Sequence, residues 1–398
     1  MRSTVELARE LISFPTVSRD SNLELIDFVA SYLRGFGIEF EIQKDATGLK
    51  ANLIATIGPT DRPGVILSGH TDVVPIDGQN WSRDPFDPWL AEDRLFGRGS
   101  CDMKGFIAAV LATVPRMNPA RLQTPIHLLM TYDEEVGCHG AREAVGILTK
   151  RLGTPAACIV GEPTDMEPVN AHKGMKLLKT SVHGRAGHSS SQTHAVSAIA
   201  EMAQVLDYLS KRGEELRNTA PPPATTFEYP HTTINLGVIR GGAAINIVPE
   251  FAELLWEYRH LPGVDGEVLL QKFAAWCESR PAQGSDRQGN PLPRIETEEI
   301  ASLPALSSQG SEGLLAVLGT LLEHDEGHCC SAQQVDYCTE AGLFQESLRT
   351  PTLICGPGSI TQAHRPDEFV TLPQLDAATR FVERVVARCE TDAPFVQE

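Results

Sequence analysis

Val65-Ile66-Leu67-Ser68-Gly69-His70-Thr71-Asp72 opens as a run of branched aliphatic residues and closes on two polar side chains. Pro63 and Gly64 bound it on the amino side, as turn residues bound a buried strand. Apolar residues at consecutive positions mean that both faces are covered, as in a parallel sheet between layers of helices. Open sheets of that kind take their ligands beyond the carboxyl ends of the strands, where His70 and Asp72 fall.

Three other runs repeat the arrangement. Ile126–Thr131 leads into Tyr132-Asp133-Glu134-Glu135, and residues 157–160 lead into Gly161-Glu162-Pro163. Leu353-Ile354-Cys355 leads into Gly356-Pro357-Gly358, with His364 six residues further on. Taken singly, each polar residue reads as a cap or a turn. Together they predict four strand ends converging on one site.

Helical spacing predicts helices over 3–12, 22–33, 106–114, 312–322 and 375–387, with further strands at 38–42, 52–57 and 352–355. Alternation of these elements indicates an α/β sheet. Between 175 and 301 the order becomes strand 176–183, helix 196–209, strands 232–239 and 250–258, helix 268–276 and strand 294–300. That sequence of elements is the split β-α-β motif. The expected organisation is therefore a larger domain in two parts, 1–174 and 302–398, interrupted by a small α+β domain at 175–301. Pro221-Pro222-Pro223 is expected to be a stiff loop in the insert.

The chain has 398 residues and a formal charge of −18, which argues against nucleic acid or an anionic membrane as a partner. No apolar run reaches the roughly 18 residues needed to span a bilayer. Met1-Arg2-Ser3-Thr4-Val5-Glu6 carries charge where a secretory signal needs apolar residues, so the expected location is the cytoplasm. Nine cysteines without C-x-x-C spacing read as free thiols, most of them packed as small apolar residues.

Imidazole combined with carboxylate suits zinc, cobalt or manganese; calcium takes oxygen donors alone. His70 and Asp72, two apart in extended backbone, share a face, so Asp72 is expected to accept the free ring N–H of His70 and fix its tautomer. Asp102 precedes the helix that starts near Lys104; its carboxylate is expected to rest on the helix amides, or to be a plain cap. Glu134 and Glu135 are neighbours whose side chains must diverge. One can hold a cation while the other acts as general base.

The runs S-G-H-T-D-V-V-P at 68–75, G-R-G-S-C-D-M-K-G at 97–105, Y-D-E-E-V-G at 132–137, G-E-P-T at 161–164 and A-H-R-P-D-E at 363–368 resemble the acetylornithine deacetylase, succinyl-diaminopimelate desuccinylase and aminoacylase family. The likeness extends over nearly the whole chain. D-G-Q-N-W at 77–81, A-H-K-G-M at 171–175 and T-E-A-G-L-F at 339–344 incline it toward the acetylornithine deacetylase branch. The resemblance implies a zinc-exopeptidase-like catalytic domain, a mixed sheet with helices on both faces, and an inserted lid and dimerisation domain with a four-stranded antiparallel sheet and two helices.

It also implies two divalent ions per subunit, zinc first and cobalt as the alternative. Asp102 would bridge them, with His70 and Glu162 completing one site and Glu135 and His364 the other. Glu134 would be the general base, and the Asp102–Met103 peptide would be cis. His188, with His194 as a substitute, would stabilise the oxyanion, within its own subunit or across a homodimer formed through the insert. Asn246 and Arg259 would hold the substrate's α-carboxylate, while Gly356 and Gly358 would let backbone amides approach it. The activity implied is deacylation of an N-α-acyl amino acid, N2-acetyl-L-ornithine to L-ornithine and acetate in arginine biosynthesis. A desuccinylase or another N-acyl-amino-acid hydrolase is the alternative. A non-catalytic homologue that binds only metal or an amino acid would have lost the base or a ligand, and none is lost. A nucleotide-binding protein would need phosphate-loop or dinucleotide glycine spacing, which G-R-G-S-C-D lacks.

Overall fold

The computed structural model describes residues 2–190, 194–218, 225–286, 288–322 and 331–395. Pro221, Pro222, Pro223, Cys329 and Cys330 lie outside the described residues. The chain forms two compact units, one of Met1–His172, Leu306–Gln334 and Thr339–Glu398, the other of Lys173–Ala305 and Val335–Cys338.

The first unit is built on an eight-stranded sheet in the order Phe40–Lys44, Ala51–Ile57, Ile126–Thr131, Val65–His70, Ala157–Val160, Thr352–Ile354, Val169–His172, Gln333–Val335. Val65–His70 runs parallel to both its neighbours, and Thr352–Ile354 runs parallel to Ala157–Val160. Ala51–Ile57 and Phe40–Lys44 are antiparallel additions, so the sheet is mixed, as the resemblance implies. From Val65–His70 the chain moves to the strand on one side and then to the strand on the other. The direction of winding therefore reverses beside His70, and a crevice opens there.

Val65, Leu67, Ile126, Leu128, Met130, Ala157, Ile159 and Leu353 bury one face against helices Thr4–Ile12, Leu23–Arg34, Lys104–Thr113, Glu312–Leu321 and Leu372–Cys389. The period of two turns Ile66, Leu129, Cys158 and Val160 to the other face, where helices His139–Leu152 and Glu340–Leu348 pack. Helix starts carry the expected chemistry. Ser3 and Glu6 form a capping box, and the Thr371 hydroxyl accepts from the Gln374 N–H. Gly161 follows Ala157–Val160 so closely above Phe106 that a Cβ there would lie 2.0 Å from the ring. Helix His139–Leu152 escapes the hydrophobic pattern because its buried face is made of Gly140, Ala141, Ala144 and Leu148, too small and sparse to register.

In the second unit, strands Thr233–Gly241, Phe251–His260, Gly174–His183 and Arg294–Leu303 form a four-stranded sheet, antiparallel throughout. Burial alternates strictly along Gly174–His183. Leu178, Val182, Leu254 and Trp256 pack with Met202, Val205 and Leu209 of helix Ala198–Arg217 and with Leu269 and Phe273 of helix Glu267–Glu278. Trp256 and Phe273 meet edge to face at 5.3 Å.

His127 lies far from any strand end that carries acids, buried in Ile126–Thr131 with Nδ1 3.0 Å from Thr56 Oγ1. Burial, helped by the charge of Arg151, pushes its pKa down from 6.5 to about 4. Below pH 6.5 the unfolded chain takes up a proton that the folded chain refuses, so stability is lost as pH falls toward that value. Between pH 7 and pH 5 the loss from this group is about 2 kcal/mol. His127→Gln should remove that part of the pH profile. Denaturant titrations at both pH values check it, and an equal difference between variant and parent at pH 7 and pH 5 contradicts it.

Candidate metal centre

His70 is the last residue of its strand and is buried. Its Nδ1–H donates to the Asp72 backbone carbonyl at 2.9 Å, which turns Nε2 toward Asp102 Oδ1 at 2.9 Å and Glu162 Oε2 at 3.8 Å. The expected partner was the Asp72 carboxylate, yet that group stays 3.6 Å from Nδ1. It is occupied elsewhere. Asp72 accepts the Ser18 hydroxyl at 2.7 Å and the N–H groups of Glu134 and Glu135 at 3.1 and 3.4 Å. Asp72 thus orients the turn that carries both glutamates, and the tautomer of His70 is fixed by backbone.

Asp102 divides its two oxygens. Oδ1 faces His70, while Oδ2 lies 3.3 Å from His364 Nε2, which is itself 3.1 Å from Glu135 Oε1. Two groups result, His70 with Asp102 and Glu162, and Asp102 with Glu135 and His364; within each, the donor atoms lie within 4.8 Å of one another. The Asp102–Met103 peptide is cis, as the resemblance implies. Asp102 does not take the helix amides, contrary to expectation. Met103 occupies the cap position, and Glu368 Oε1 accepts the N–H groups of Cys101 and Asp102 at 2.9 and 3.1 Å. A capped Asp102 would have one oxygen fewer to offer the histidines.

Burial raises Glu162, with Asp102 adding to it, and burial likewise raises Glu135, again with Asp102. Glu134 is pushed well up by burial, against the pull of His70 and with Glu135 and Glu340 reinforcing it. Burial would also raise Asp102, but hydrogen bonds from His364 and His70 hold it well below the ordinary carboxylate range. His364 is raised to about 10 by Asp102 and Glu135. The carboxylates draw each imidazole toward its charged form, and the same field draws a divalent cation. Two imidazoles and three carboxylates at this spacing match the donor chemistry of zinc or cobalt.

Sequence reading passed over several residues here. Glu340, buried, accepts from Thr131 Oγ1 and from Ser68 Oγ at 3.2 Å, and burial pushes it up to about 7. It belongs to a short helix with little hydrophobic periodicity, and its one signal is its place in the run T-E-A-G-L-F. Glu368 and Arg98 sit inside quoted runs, A-H-R-P-D-E and G-R-G-S-C-D, and that was the available signal.

At Gly356 and Gly358 the structure shows close packing. The Gly356 N–H donates to Thr164 Oγ1 at 3.2 Å and the Gly358 N–H to Gln374 Oε1, so both amides are already used. A Cβ on Gly356 would lie 2.1 Å from the Gly161 carbonyl oxygen, and one on Gly358 2.6 Å from Cys101 Sγ. Close packing requires glycine at both.

His188, Asn246 and Arg259 belong to the second unit. The pair Gly187–His188 runs antiparallel to Ile247–Val248, and the Ser189 N–H donates to the Asn246 carbonyl at 3.1 Å, so His188 and Asn246 are neighbours. Both are exposed. His188 Nδ1 is 2.7 Å from the Ser190 hydroxyl. Arg259 is not with them. They flank the Phe251 end of strand Phe251–His260, and Arg259 is eight residues along it, roughly 25 Å away at about 3.3 Å per residue. Its guanidinium lies 3.3 Å from Glu257 Oε1 on the same face.

Peptidase family M20/M25/M40 matches residues 66–388. Acetylornithine deacetylase of Proteus mirabilis (strain HI4320) is 34% identical over 394 residues, covering 96% of this chain and 95% of that protein. Acetylornithine deacetylase of Photorhabdus laumondii is 34% identical over 390 residues, with 96% of each chain covered. Among solved structures, an M20 family metallo-carboxypeptidase from Sulfolobus solfataricus superposes with a TM-score of 0.74 at 17% identity, over 98% of this chain and all of that one. Among the described residues no helix is long and apolar enough to cross a membrane. The chain belongs to peptidase family M20/M25/M40 and is a metal-dependent hydrolase of amide bonds.

Proposed function

We propose that the chain removes the acetyl group from N2-acetyl-L-ornithine, using two divalent cations, zinc or cobalt, held by His70, Asp102 and Glu162 and by Asp102, Glu135 and His364. The observation that carries the two-cation reading is the division of Asp102, whose Oδ1 and Oδ2 face different histidines. The relatives named acetylornithine deacetylase support the substrate.

Cations bound there supply Lewis acidity toward the acyl carbonyl and a lowered pKa for water. The side chains do the rest. Glu134 is held by its own N–H on Asp72 and raised by burial, so it is suited to take the attacking water's proton and deliver it to the leaving α-amine. His188 stabilises negative charge developing on the acyl oxygen. Arg259 reads the α-carboxylate with a two-pronged fit, shared with Glu257, and Asn246 assists.

One small substrate cannot reach both ends of a sheet roughly 25 Å long. His188 and Asn246 on one side and Arg259 on the other therefore serve different sites, in keeping with the reading that His188 acts across a homodimer. The outer strand Thr233–Gly241 supports such a dimer: Val238 and Ile239 on it are 41 and 54% exposed, an apolar edge that invites pairing.

Release of free amine from a panel of acetyl- and succinyl-amino acids tests the substrate, with N-acetylornithine expected to lead. Turnover of succinyl-diaminopimelate above it would favour the desuccinylase alternative. Glu134→Gln should keep its metal and lose at least 100-fold in kcat, in line with the usual worth of a general base. Near-normal turnover removes Glu134 from the role.

Light scattering should give about twice the 43.3 kDa chain mass. Ile239→Lys should yield a monomer with little activity; an active monomer refutes the shared site. Arg259→Ala should lower kcat/KM steeply for N-acetylornithine and only modestly for its α-carboxamide, which has no charge to leave unpaired. Equal losses would make Arg259 a structural residue.

A further inference from the structure

We propose that Gln79, backed by Arg98 and Glu368, forms a clamp that holds His364 opposite Asp102 and thereby sets the cation affinity of the Asp102–Glu135–His364 group far more than that of the His70–Asp102–Glu162 group. The inference rests on the reading of that group as a metal site. None of the three residues is a ligand in that reading, so they are positioning residues.

The contacts form one continuous chain. Glu368 and Arg98 are both buried and pair through Arg98 Nη1 and Glu368 Oε2 at 2.7 Å. The other oxygen of Glu368 holds the backbone N–H groups of Cys101 and Asp102, so the pair fixes the peptide on which Asp102 stands. Arg98 Nη2 donates to Gln79 Oε1, and Gln79 Nε2 donates to the backbone carbonyl of His364 at 3.0 Å. Trp81 secures the middle of the chain. Its ring stacks under the Arg98 guanidinium at 5.0 Å, and its Nε1–H donates to Gln79 Oε1 at 3.0 Å. Three side chains, Glu368, Arg98 and Gln79, thus connect the two residues whose side chains meet at 3.3 Å.

The asymmetry of the site makes the clamp selective. His70 is held by a buried central strand and by the Asp72 carbonyl. The loop further on is tied by Arg98 Nη1 on the Arg365 carbonyl at 3.4 Å and by Ser82 on the Asp367 carboxylate at 2.9 and 2.6 Å, but no strand holds His364. It lies in a loop with φ of 64°, and its side chain is 51% exposed, so packing does little to keep it opposite Asp102. A histidine free to drift pays ordering entropy each time a cation binds, and removing partners behind a ligand typically weakens metal affinity about 10- to 100-fold. Glu162 and His70 have no link to Gln79 of this kind, so their group should be spared.

Breaking a buried ion pair risks the fold, and Gln79, only half-buried, is the safer handle. Full-length chain stripped by a chelator would be titrated with Zn2+ against a chromophoric competitor, for the parent, Gln79→Ala, Gln79→Glu, His364→Ala and the Gln79→Ala/His364→Ala double variant. Gln79→Glu keeps the acceptor for Arg98 and loses the donor to His364. The parent should bind two ions. Gln79→Ala and Gln79→Glu should weaken one of the two affinities about 10- to 100-fold and change the other less than threefold. His364→Ala should abolish that same weakened affinity, and adding Gln79→Ala to it should change nothing further.

A parent that binds fewer than two ions, or His364→Ala that keeps both affinities, overturns the underlying metal reading. A two-ion parent whose Gln79 variants keep both affinities, or lose both equally, overturns the clamp while leaving that reading intact. Thermal melting of the stripped proteins separates the clamp from general damage, since Gln79→Ala should melt with the parent. A large fall in melting temperature with both affinities lost counts against the clamp.

Discussion

Carboxylates crowd the edge of the central sheet more densely than their mutual repulsion would allow in an unsupported loop. Asp72, Asp102, Glu134, Glu135, Glu162, Glu340 and Glu368 gather there, and burial raises most of those whose values shift. Each would turn outward to water if its backbone could follow. Parallel strands prevent that, because they fix where each chain segment ends. Peptide N–H groups and hydroxyls then fix the side chains, as on Asp72 and Glu368. The concentrated charge survives because it is built on the most rigid part of the fold.

The sequence made the strand ends legible because unbroken apolar runs stop abruptly at polar residues, and that contrast survives any uncertainty in boundaries. His70, Glu135, Glu162 and, six residues past its turn, His364 were accessible this way; Asp102 stood out by its place before a helix, and the ligand set as a whole came from the family resemblance. What could not be read was how the side chains turn. Periodicity put His70 and Asp72 on one face, yet Ser18, more than fifty residues earlier, competes for the Asp72 carboxylate. Asp102 is turned in a similar way: Glu368, from the far end of the chain, holds its own N–H, while the first helix amide, that of Lys104, is taken by the Gly99 carbonyl. Such contests are settled by partners distant in sequence, which spacing alone cannot reveal. At Gly356 and Gly358 the crowding by Gly161 and Cys101, and at Gly358 a φ of 90° as well, come from tertiary neighbours that spacing does not show.

The second unit follows simpler rules. Strict alternation along Gly174–His183 and Phe251–His260 gives one face to the helices and leaves the other half-exposed. A sheet of this kind is a ruler: residues on it keep their separation whatever else moves. His188 and Arg259 stand near opposite ends, and no repacking within the unit brings them together.

Gly161 and Phe106 illustrate a different kind of dependence. The phenyl ring occupies the space that any side chain at 161 would need, so the two positions are not free to vary separately. A population of variants under selection could admit alanine at 161 only alongside a smaller residue at 106, and either change alone would be purged. Such a pair would look, in a record of accepted substitutions, like a functional coupling with the neighbouring Glu162. It would in fact report the volume of a hydrophobic contact one layer beneath the chemistry.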